Sequence, residues 1–214
     1  MNNFELTTQF FEKYSNKYGV DFPDDFVSDL IKTSNDSESN VSLYTNKTNN
    51  LNVLDMDVFA KKIYYRVWGQ NMRDNTFNSP DAFLVNSDNH WFFIEFKNSQ
   101  INAQNTKTKS NVLKKAFCIV YSIIDVLSDV NECYILSAYS NPLSFFRTNV
   151  TYILVCSNDK NPTVSQRNVQ QRITTGKYRY TPEFMQKINS YLFCDAYVYT
   201  EKYFEEEFVK NFKY

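Results

Sequence analysis

Asp81, Glu95 and Lys97 are the residues of this chain whose types and spacing point most directly to chemistry. Between Asp81 and Glu95 lie two apolar runs around a polar turn, at 82–94, and this pattern predicts a β-hairpin. Alternate side chains of a strand share one face, so Glu95 and Lys97 are expected to point the same way. The hairpin therefore brings an aspartate, a glutamate and a lysine together.

The register of the hairpin decides how close the two carboxylates lie. A turn made of the five polar residues 86–90 pairs Val85 with Trp91, and this register places Asp81 opposite Glu95, to within one residue. Carboxylates on cross-strand neighbours, with Cβ atoms roughly 5 Å apart, repel each other. The pair needs a cation between the two groups, and we expect a divalent metal, Mg²⁺ or Mn²⁺.

Phosphodiester hydrolysis is the reaction that this set of side chains suits. The reaction needs an activated water, neutralisation of charge on the phosphate and help for the leaving oxygen. A metal held by Asp81 and Glu95 would supply these, and the main-chain carbonyl of Phe96 offers a further hard oxygen ligand. The Lys97 ammonium would orient or deprotonate the water, or stabilise the developing negative charge.

The elements that position these residues are predicted from the periodicity of apolar side chains. Helices are predicted at 4–18, after Pro23, at 53–68, 106–127, 164–173 and 181–192, and from Thr200 onward. Besides the hairpin, strands are predicted at 134–138, 150–156 and 194–199, and a polar loop at 33–52. The helix at 106–127 has one broad apolar stripe, so it should lie on the sheet as a crossover between strands. These elements favour an α/β fold with a central mixed sheet flanked by helices.

Pro80-Asp81 followed by Glu95-Phe96-Lys97, with a helix before and a long helix after, resembles the PD-(D/E)XK nuclease superfamily over roughly residues 53–157. The resemblance implies a restriction-endonuclease-like fold, here with an extra N-terminal helical segment. We therefore predict an N-terminal helical segment and polar loop at 1–52 and a nuclease-like domain at 53–214, within a single compact domain.

The same resemblance implies roles for the residues that match it. Asp81 and Glu95 would bind the metal, and Lys97 would assist the water. The first helix of that superfamily often supplies one more acidic residue, for which Asp57 is the candidate, with Asp55 behind it. The implied activity is that of a Mg²⁺-dependent phosphodiesterase or endonuclease.

Basic residues suited to a polyanion lie in two further places. Lys107 and Lys109 fall near the start of the long predicted helix, where a bound phosphate would be favoured, although a frayed surface turn explains them equally well. Arg172, Lys177 and Arg179 alternate with aromatic residues, a composition suited to backbone contact and base stacking. We predict these five residues to contact nucleic acid.

Composition limits the class of protein. The chain has 214 residues, 17% of them aromatic, which is enough for one domain with a full core. Its net charge of −1 excludes a global basic field, so nucleic acid would have to meet a local basic patch. Widely spaced cysteines, a start without a signal sequence and the absence of a long apolar span favour a cytoplasmic protein with reduced thiols. The four are Cys118, Cys133, Cys156 and Cys194.

Several interpretations stay open at this point. A nuclease is the first, and a catalytically inactive PD-(D/E)XK-like binding or interaction protein is the alternative; an enzyme acting on another phosphate ester is a third. Glu95 and Lys97 could also form a solvated ion pair on an edge strand. The single histidine, His90, lies in the predicted turn, which argues against histidine-based hydrolases. DNA versus RNA, and monomer versus homodimer, are not decided.

Overall fold

A mixed six-stranded sheet forms the centre of the computed structural model, which describes residues 1–36, 40–69, 77–101, 106–130 and 141–214. The described strands are β1 (Val27–Asp29), β2 (Asn35–Asp36), β3 (Val41–Ser42), β4 (Asn52–Asp55), β5 (Ala82–Val85), β6 (Trp91–Lys97), β7 (Val150–Cys156) and β8 (Asp195–Thr200). The central sheet has the order β1-β4-β5-β6-β7-β8, while β2 and β3 pair separately. Neighbours from β1 to β6 are antiparallel, and β6, β7 and β8 are parallel. The chain therefore has a mixed α/β fold whose sheet is mostly antiparallel.

Helices cover both faces of this sheet. The described α-helices are α1 (Asn3–Lys17), α2 (Leu30–Thr33), α3 (Met56–Val58), α4 (Tyr65–Trp68), α5 (Thr106–Asp129), α6 (Pro142–Asn149), α7 (Pro162–Thr175) and α8 (Glu201–Glu207). A π-helical stretch at Phe59–Tyr64 joins α3 to α4. No helix of the described residues is long and apolar enough to cross a membrane.

The crossover predicted for the long helix is confirmed. α5 follows β6, and α6 then leads into β7, which runs parallel to β6, so both helices belong to the connection between these two strands. Parallel neighbours need such a connection because a tight turn cannot join them. The buried stripe of α5, with Val112, Ala116 and Ile119 fully buried, packs against the sheet and so fixes the helix over β6 and β7.

β6 is buried on both faces. Trp91 and Phe93 belong to the core on the α1 and α5 side, whereas Ile94 and Phe96 belong to the core on the α8 side. Since β6 lies between β5 and β7, Glu95 is on a central strand and its side chain is 0% exposed. The edge-strand interpretation of Glu95 and Lys97 is therefore wrong.

The prediction of one helix over 53–68 is wrong in its first turn, because β4 occupies Asn52–Asp55 and the helix starts only at Met56. Val53 and Leu54 are fully buried in the cores on opposite faces of the sheet. Two adjacent apolar residues are typical of a strand that is buried on both sides, but they also fit a helical stripe.

Other predicted boundaries differ from the structure. The helix predicted after Pro23 is a 3-10 turn followed by β1, and the loop predicted at 33–52 contains β2 and β3. At 181–192 only Glu183–Met185 is helical, as a 3-10 turn, and Ser190 has a left-handed φ of 61° that a continuing helix does not allow. The strand predicted at 134–138 lies outside the described residues, and α6 was not predicted.

Candidate active site

The hairpin of β5 and β6 has the predicted register. Val85 pairs with Trp91 and Ala82 with Ile94, so one further step places Asp81 beside Glu95. The main-chain amide of Phe96 donates a hydrogen bond of 2.6 Å to Asp81 Oδ2, which holds the aspartate at this end of the hairpin. The predicted convergence of the two carboxylates is therefore confirmed.

The cation found between these carboxylates is the ammonium group of Lys115 on α5. Its Nζ lies 2.9 Å from Asp81 Oδ1 and 2.7 Å from Glu95 Oε2. Sequence reasoning missed this residue. The available signal was its spacing, since Lys115 stands three residues after Val112 and four before Ile119, both fully buried. A lysine at such a position of a helix must find a carboxylate or another acceptor inside the fold.

Lys97 approaches Glu95 from the opposite side. Its Nζ is 2.5 Å from Glu95 Oε1, an ion-pair contact, and its side chain is 23% exposed. That contact lacks hydrogen-bond geometry, so the buried Oε1 accepts no hydrogen bond among the described residues. Lys115 thus donates a hydrogen bond to one oxygen of Glu95, while the other oxygen is in ion-pair contact with Lys97.

Burial and charge act against each other in this cluster. Burial, together with the Asp81 carboxylate, raises the pKa of Glu95 to about 7, and Lys115 and Lys97 oppose that rise. Burial lowers the pKa of Lys115, but the carboxylates of Asp81 and Glu95 outweigh it and raise that pKa on balance. Lys115 therefore stays charged, and its charge is what makes a buried carboxylate pair tolerable.

A polar cleft of about 610 Å³ opens beside the cluster. Asp55, Asp57 and Asp81 line it on the side of α3 and β5, and Lys97 lines it at the end of β6. Further lining residues come from α2, from the segment after β6 and from the first turns of α5; they include Lys32, Phe96, Asn98, Ser99, Lys107, Thr108 and Asn111. Asp81 and Lys97 thus connect the buried Glu95 to a space that a substrate can enter.

The two carboxylates named from the preceding helix lie on this cleft but have other partners. Asp57 accepts hydrogen bonds from Lys61, at 2.8 Å, and from Ser79, at 3.0 Å. Burial raises the pKa of Asp57, but Lys61 and its other donors lower it on balance. Asp55 Oδ1 caps the helix by accepting from the Val58 amide, and burial, with the charges of Asp57 and Asp81, raises its pKa.

The carboxylates of Asp81 and Glu95 can supply only part of the coordination of a divalent cation. Carboxylate oxygens are the ligands that Mg²⁺ prefers, but Glu95 Oε1 is in ion-pair contact with Lys97, so a metal there would have to displace that ammonium. Within the described ranges, no group of three or more Asp, Glu, His or Cys side chains is placed to hold a metal. Mg²⁺ often uses only one or two carboxylates, completed by water and substrate phosphates. The residues therefore fit an ion completed by substrate, and not a preformed protein cage.

The predicted nucleic-acid contacts divide into separate places. Lys107 lines the cleft, whereas Lys109 lines a neighbouring pocket, with its Nζ 5.9 Å from the ring centroid of Phe184. The other three lie outside the cleft lining: Arg172 stacks on Tyr178, Lys177 is exposed, and Arg179 pairs with Asp195 at 3.3 Å. The structure thus brings only Lys107 of these five to the Asp81 cleft.

His90 lies at the opposite end of β6 from Glu95, where its Nε2 is 2.8 Å from Thr151 Oγ1 and 3.7 Å from Cys194 Sγ. Burial and the nearby charge of Arg179 lower the pKa of His90, against Asp195 and Asp88, which raise it. Cys194 is a free thiol, as are Cys118 and Cys156, while Cys133 lies outside the described residues.

We expect the lowered pKa of His90 to make stability depend on pH. The unfolded chain takes up a proton near the ordinary histidine value of about 6.5, before the folded protein does, so the free energy of unfolding should fall as pH drops below about 6.5. Urea denaturation at about pH 7.5 and about pH 5.5 should show a larger loss for the native chain than for His90→Gln. Equal losses in the two proteins would contradict this assignment.

Comparison with known proteins does not assign this chain to a family. No protein-family model matches the chain, and neither a curated protein nor a solved structure is significantly similar to it. The arrangement of Asp81, Glu95, Lys97 and Lys115 therefore carries the functional argument by itself.

Proposed function

We propose that the protein is a metal-dependent nuclease that hydrolyses phosphodiester bonds of DNA or RNA at Asp81, Glu95 and Lys97. One observation carries this proposal. A buried carboxylate and a neighbouring, partly exposed one share the Lys115 ammonium at the wall of a polar cleft, and a second lysine, Lys97, reaches both the buried carboxylate and the cleft. Paired carboxylates beside a lysine are the residue types that phosphodiester hydrolysis requires.

Asp81 and Glu95, with the main-chain carbonyl of Phe96, would hold the Mg²⁺ or Mn²⁺. When bound, the ion would lower the pKa of a coordinated water and neutralise charge on the phosphate. The Lys97 ammonium would hold the attacking water or stabilise the charge on the phosphate oxygens, since its side chain reaches the cleft. Before substrate arrives, the Lys115 ammonium donates a hydrogen bond to each carboxylate and opposes the rise in the pKa of Glu95.

The charged residues that line the cleft are of both signs: the lysines are Lys32, Lys97 and Lys107, and the aspartates are Asp36, Asp55, Asp57 and Asp81. Lys32 and Lys107 come from α2 and α5, on either side of the site, and a phosphate backbone in the cleft would meet both. The aspartates of the lining would repel such a backbone, so its binding in the cleft should be tighter when a divalent cation is present.

A specific observation favours the alternative, an inactive binding or interaction protein. Lys115 already occupies the place between Asp81 and Glu95, and the two carboxylates face two ammonium groups, so their charges balance without a metal. In that case the cluster would be a structural ion-pair network, and the cleft would bind without catalysis.

Cleavage of end-labelled DNA and RNA oligonucleotides separates the two functions. The nuclease proposal expects products with Mg²⁺ or Mn²⁺, none with EDTA, and none from Asp81→Asn. It also expects calorimetry to detect tighter Mg²⁺ binding when a phosphorothioate oligonucleotide is present, since the substrate completes the ion's coordination. No cleavage with either metal, together with no heat of Mg²⁺ binding in either condition, would overturn the nuclease proposal.

A further inference from the structure

A second pocket, of about 430 Å³, lies next to the Asp81 cleft. The first turn of α5 separates the two, since Lys107 and Thr108 line the cleft while Lys109 lines the pocket. The segment after β6 also separates the cleft from the pocket, since Ser99 lines the cleft and Ile101 lines the pocket. A chain of nucleotides that leaves the cleft across this divide would enter the second pocket.

The pocket has a mainly apolar and aromatic lining with cations beside it. Its apolar lining residues are Ile101, Val164, Tyr180, Pro182, Phe184 and Val198. Lys109 and Lys187 add positive charge and the exposed Glu183 adds one negative charge, while the Lys109 Nζ lies near the face of the Phe184 ring. An aromatic surface for a base and lysines for the backbone are the combination by which proteins bind single-stranded nucleic acid.

Asn161 fixes the wall between the two spaces. Its Oδ1 accepts a hydrogen bond of 2.6 Å from the Ile101 amide, and its Nδ2 donates to the carbonyl oxygens of Ser99 and Ser157. Asn161 is 4% exposed, so these hydrogen bonds are shielded from water. The pocket is therefore built in advance of any ligand, which reduces the entropy lost on binding.

We propose that this pocket binds one unstacked nucleobase of the substrate, next to the phosphodiester held at Asp81. The assignment rests on the proposed nuclease function for its ligand class, and it adds that the substrate is single-stranded or locally unpaired. A base paired inside a duplex cannot enter such a pocket without being extruded from the stack. The pocket is large enough for a base, because ligand pockets start at roughly 300 Å³.

Fluorescence of oligonucleotides that carry 2-aminopurine tests this assignment in EDTA, where binding is measured without cleavage. Single strands should bind more tightly than the matching duplex, and the 2-aminopurine signal should change on binding. Phe184→Leu should weaken single-strand binding about tenfold or more, because stacking is lost while an apolar side chain is kept. Tyr121→Leu removes an aromatic ring that is 68% exposed on α5, outside the pocket lining, and should leave the affinity unchanged.

Lys187→Gln gives a second readout that does not depend on the partly buried Phe184. This exposed lysine is expected to contact the backbone, so its loss should reduce the slope of log affinity against log salt by about 0.7. Equal affinity of native and Phe184→Leu proteins, or equal affinity for strand and duplex, would overturn the pocket assignment alone. Binding that depends on Phe184 without any cleavage in Mg²⁺ would uphold the pocket and overturn the nuclease.

Discussion

Replacing Lys97 with alanine is expected to slow phosphodiester cleavage about 100-fold or more, because a positioned charge or proton-transfer group typically contributes that much. Of the two described lysines that contact Glu95, Lys97 lines the cleft, so a substrate phosphate would meet its ammonium directly. Single-turnover cleavage with saturating oligonucleotide measures this step without the contribution of binding.

The loss should fall on the rate and not on the affinity. Oligonucleotide binding in EDTA should change less than about tenfold in Lys97→Ala, since only one phosphate contact is removed. Lys114→Ala is the matched control, because Lys114 is exposed on α5 next to Lys115 and does not line the cleft. Cleavage by Lys97→Ala at the native rate would exclude Lys97 from the reaction, and a thermal melt of each variant excludes misfolding as the cause of a loss.

Replacing Lys115 with methionine is expected to lower the free energy of unfolding by about 3–5 kcal/mol. The substitution keeps an unbranched chain of similar length but removes the ammonium that contacts both Asp81 and Glu95. Glu95 is 0% exposed and its pKa is already raised to about 7, so without Lys115 its carboxylate would either take up a proton or stay charged where water cannot solvate it, and the ion pair with Lys115 is lost in both cases. Urea denaturation measures the change, with Lys114→Met as the control, for which we expect less than about 0.5 kcal/mol.

A second substitution separates charge from packing in this prediction. Lys115→Met combined with Glu95→Gln leaves no uncompensated buried charge at position 95, so it should recover most of the lost stability. Added Mg²⁺ should also stabilise Lys115→Met more than the native protein, because a cation would then enter the place that the ammonium has left. A double variant as unstable as the single one would show that Lys115 acts through packing.

The hairpin could be predicted from sequence because everything that determines it is local. A polar turn between two apolar runs sets the register, and the alternation of side chains sets the faces. The residues between Asp81 and Glu95 were therefore enough to predict that the two carboxylates lie side by side. The contact of Lys115 with Asp81 could not be predicted in this way, because it joins residues 34 apart in sequence and depends on how α5 packs against the sheet.

The buried face of the long helix α5 differs in part from the face that the apolar pattern predicts. The stripe predicted for it was broad and included Phe117, which is 47% exposed, whereas the buried face is narrower and includes Lys115 at 16% exposure. A stripe in which a lysine replaces an apolar residue therefore indicates a buried ion pair. β4 was missed for a related reason, since a strand buried on both faces has no alternation of polarity to reveal it.

The position of a divalent ion relative to Asp81 and Glu95 tests the central claim most directly. Crystals of the protein with Mn²⁺ and a phosphorothioate oligonucleotide would locate the metal by its anomalous scattering. We expect a Mn²⁺ peak in contact with both carboxylates and a substrate phosphate, with the Lys115 ammonium displaced from at least one of them. A Lys115 ammonium still bridging Asp81 and Glu95, with no anomalous peak at either carboxylate, would contradict a metal-dependent nuclease at this site.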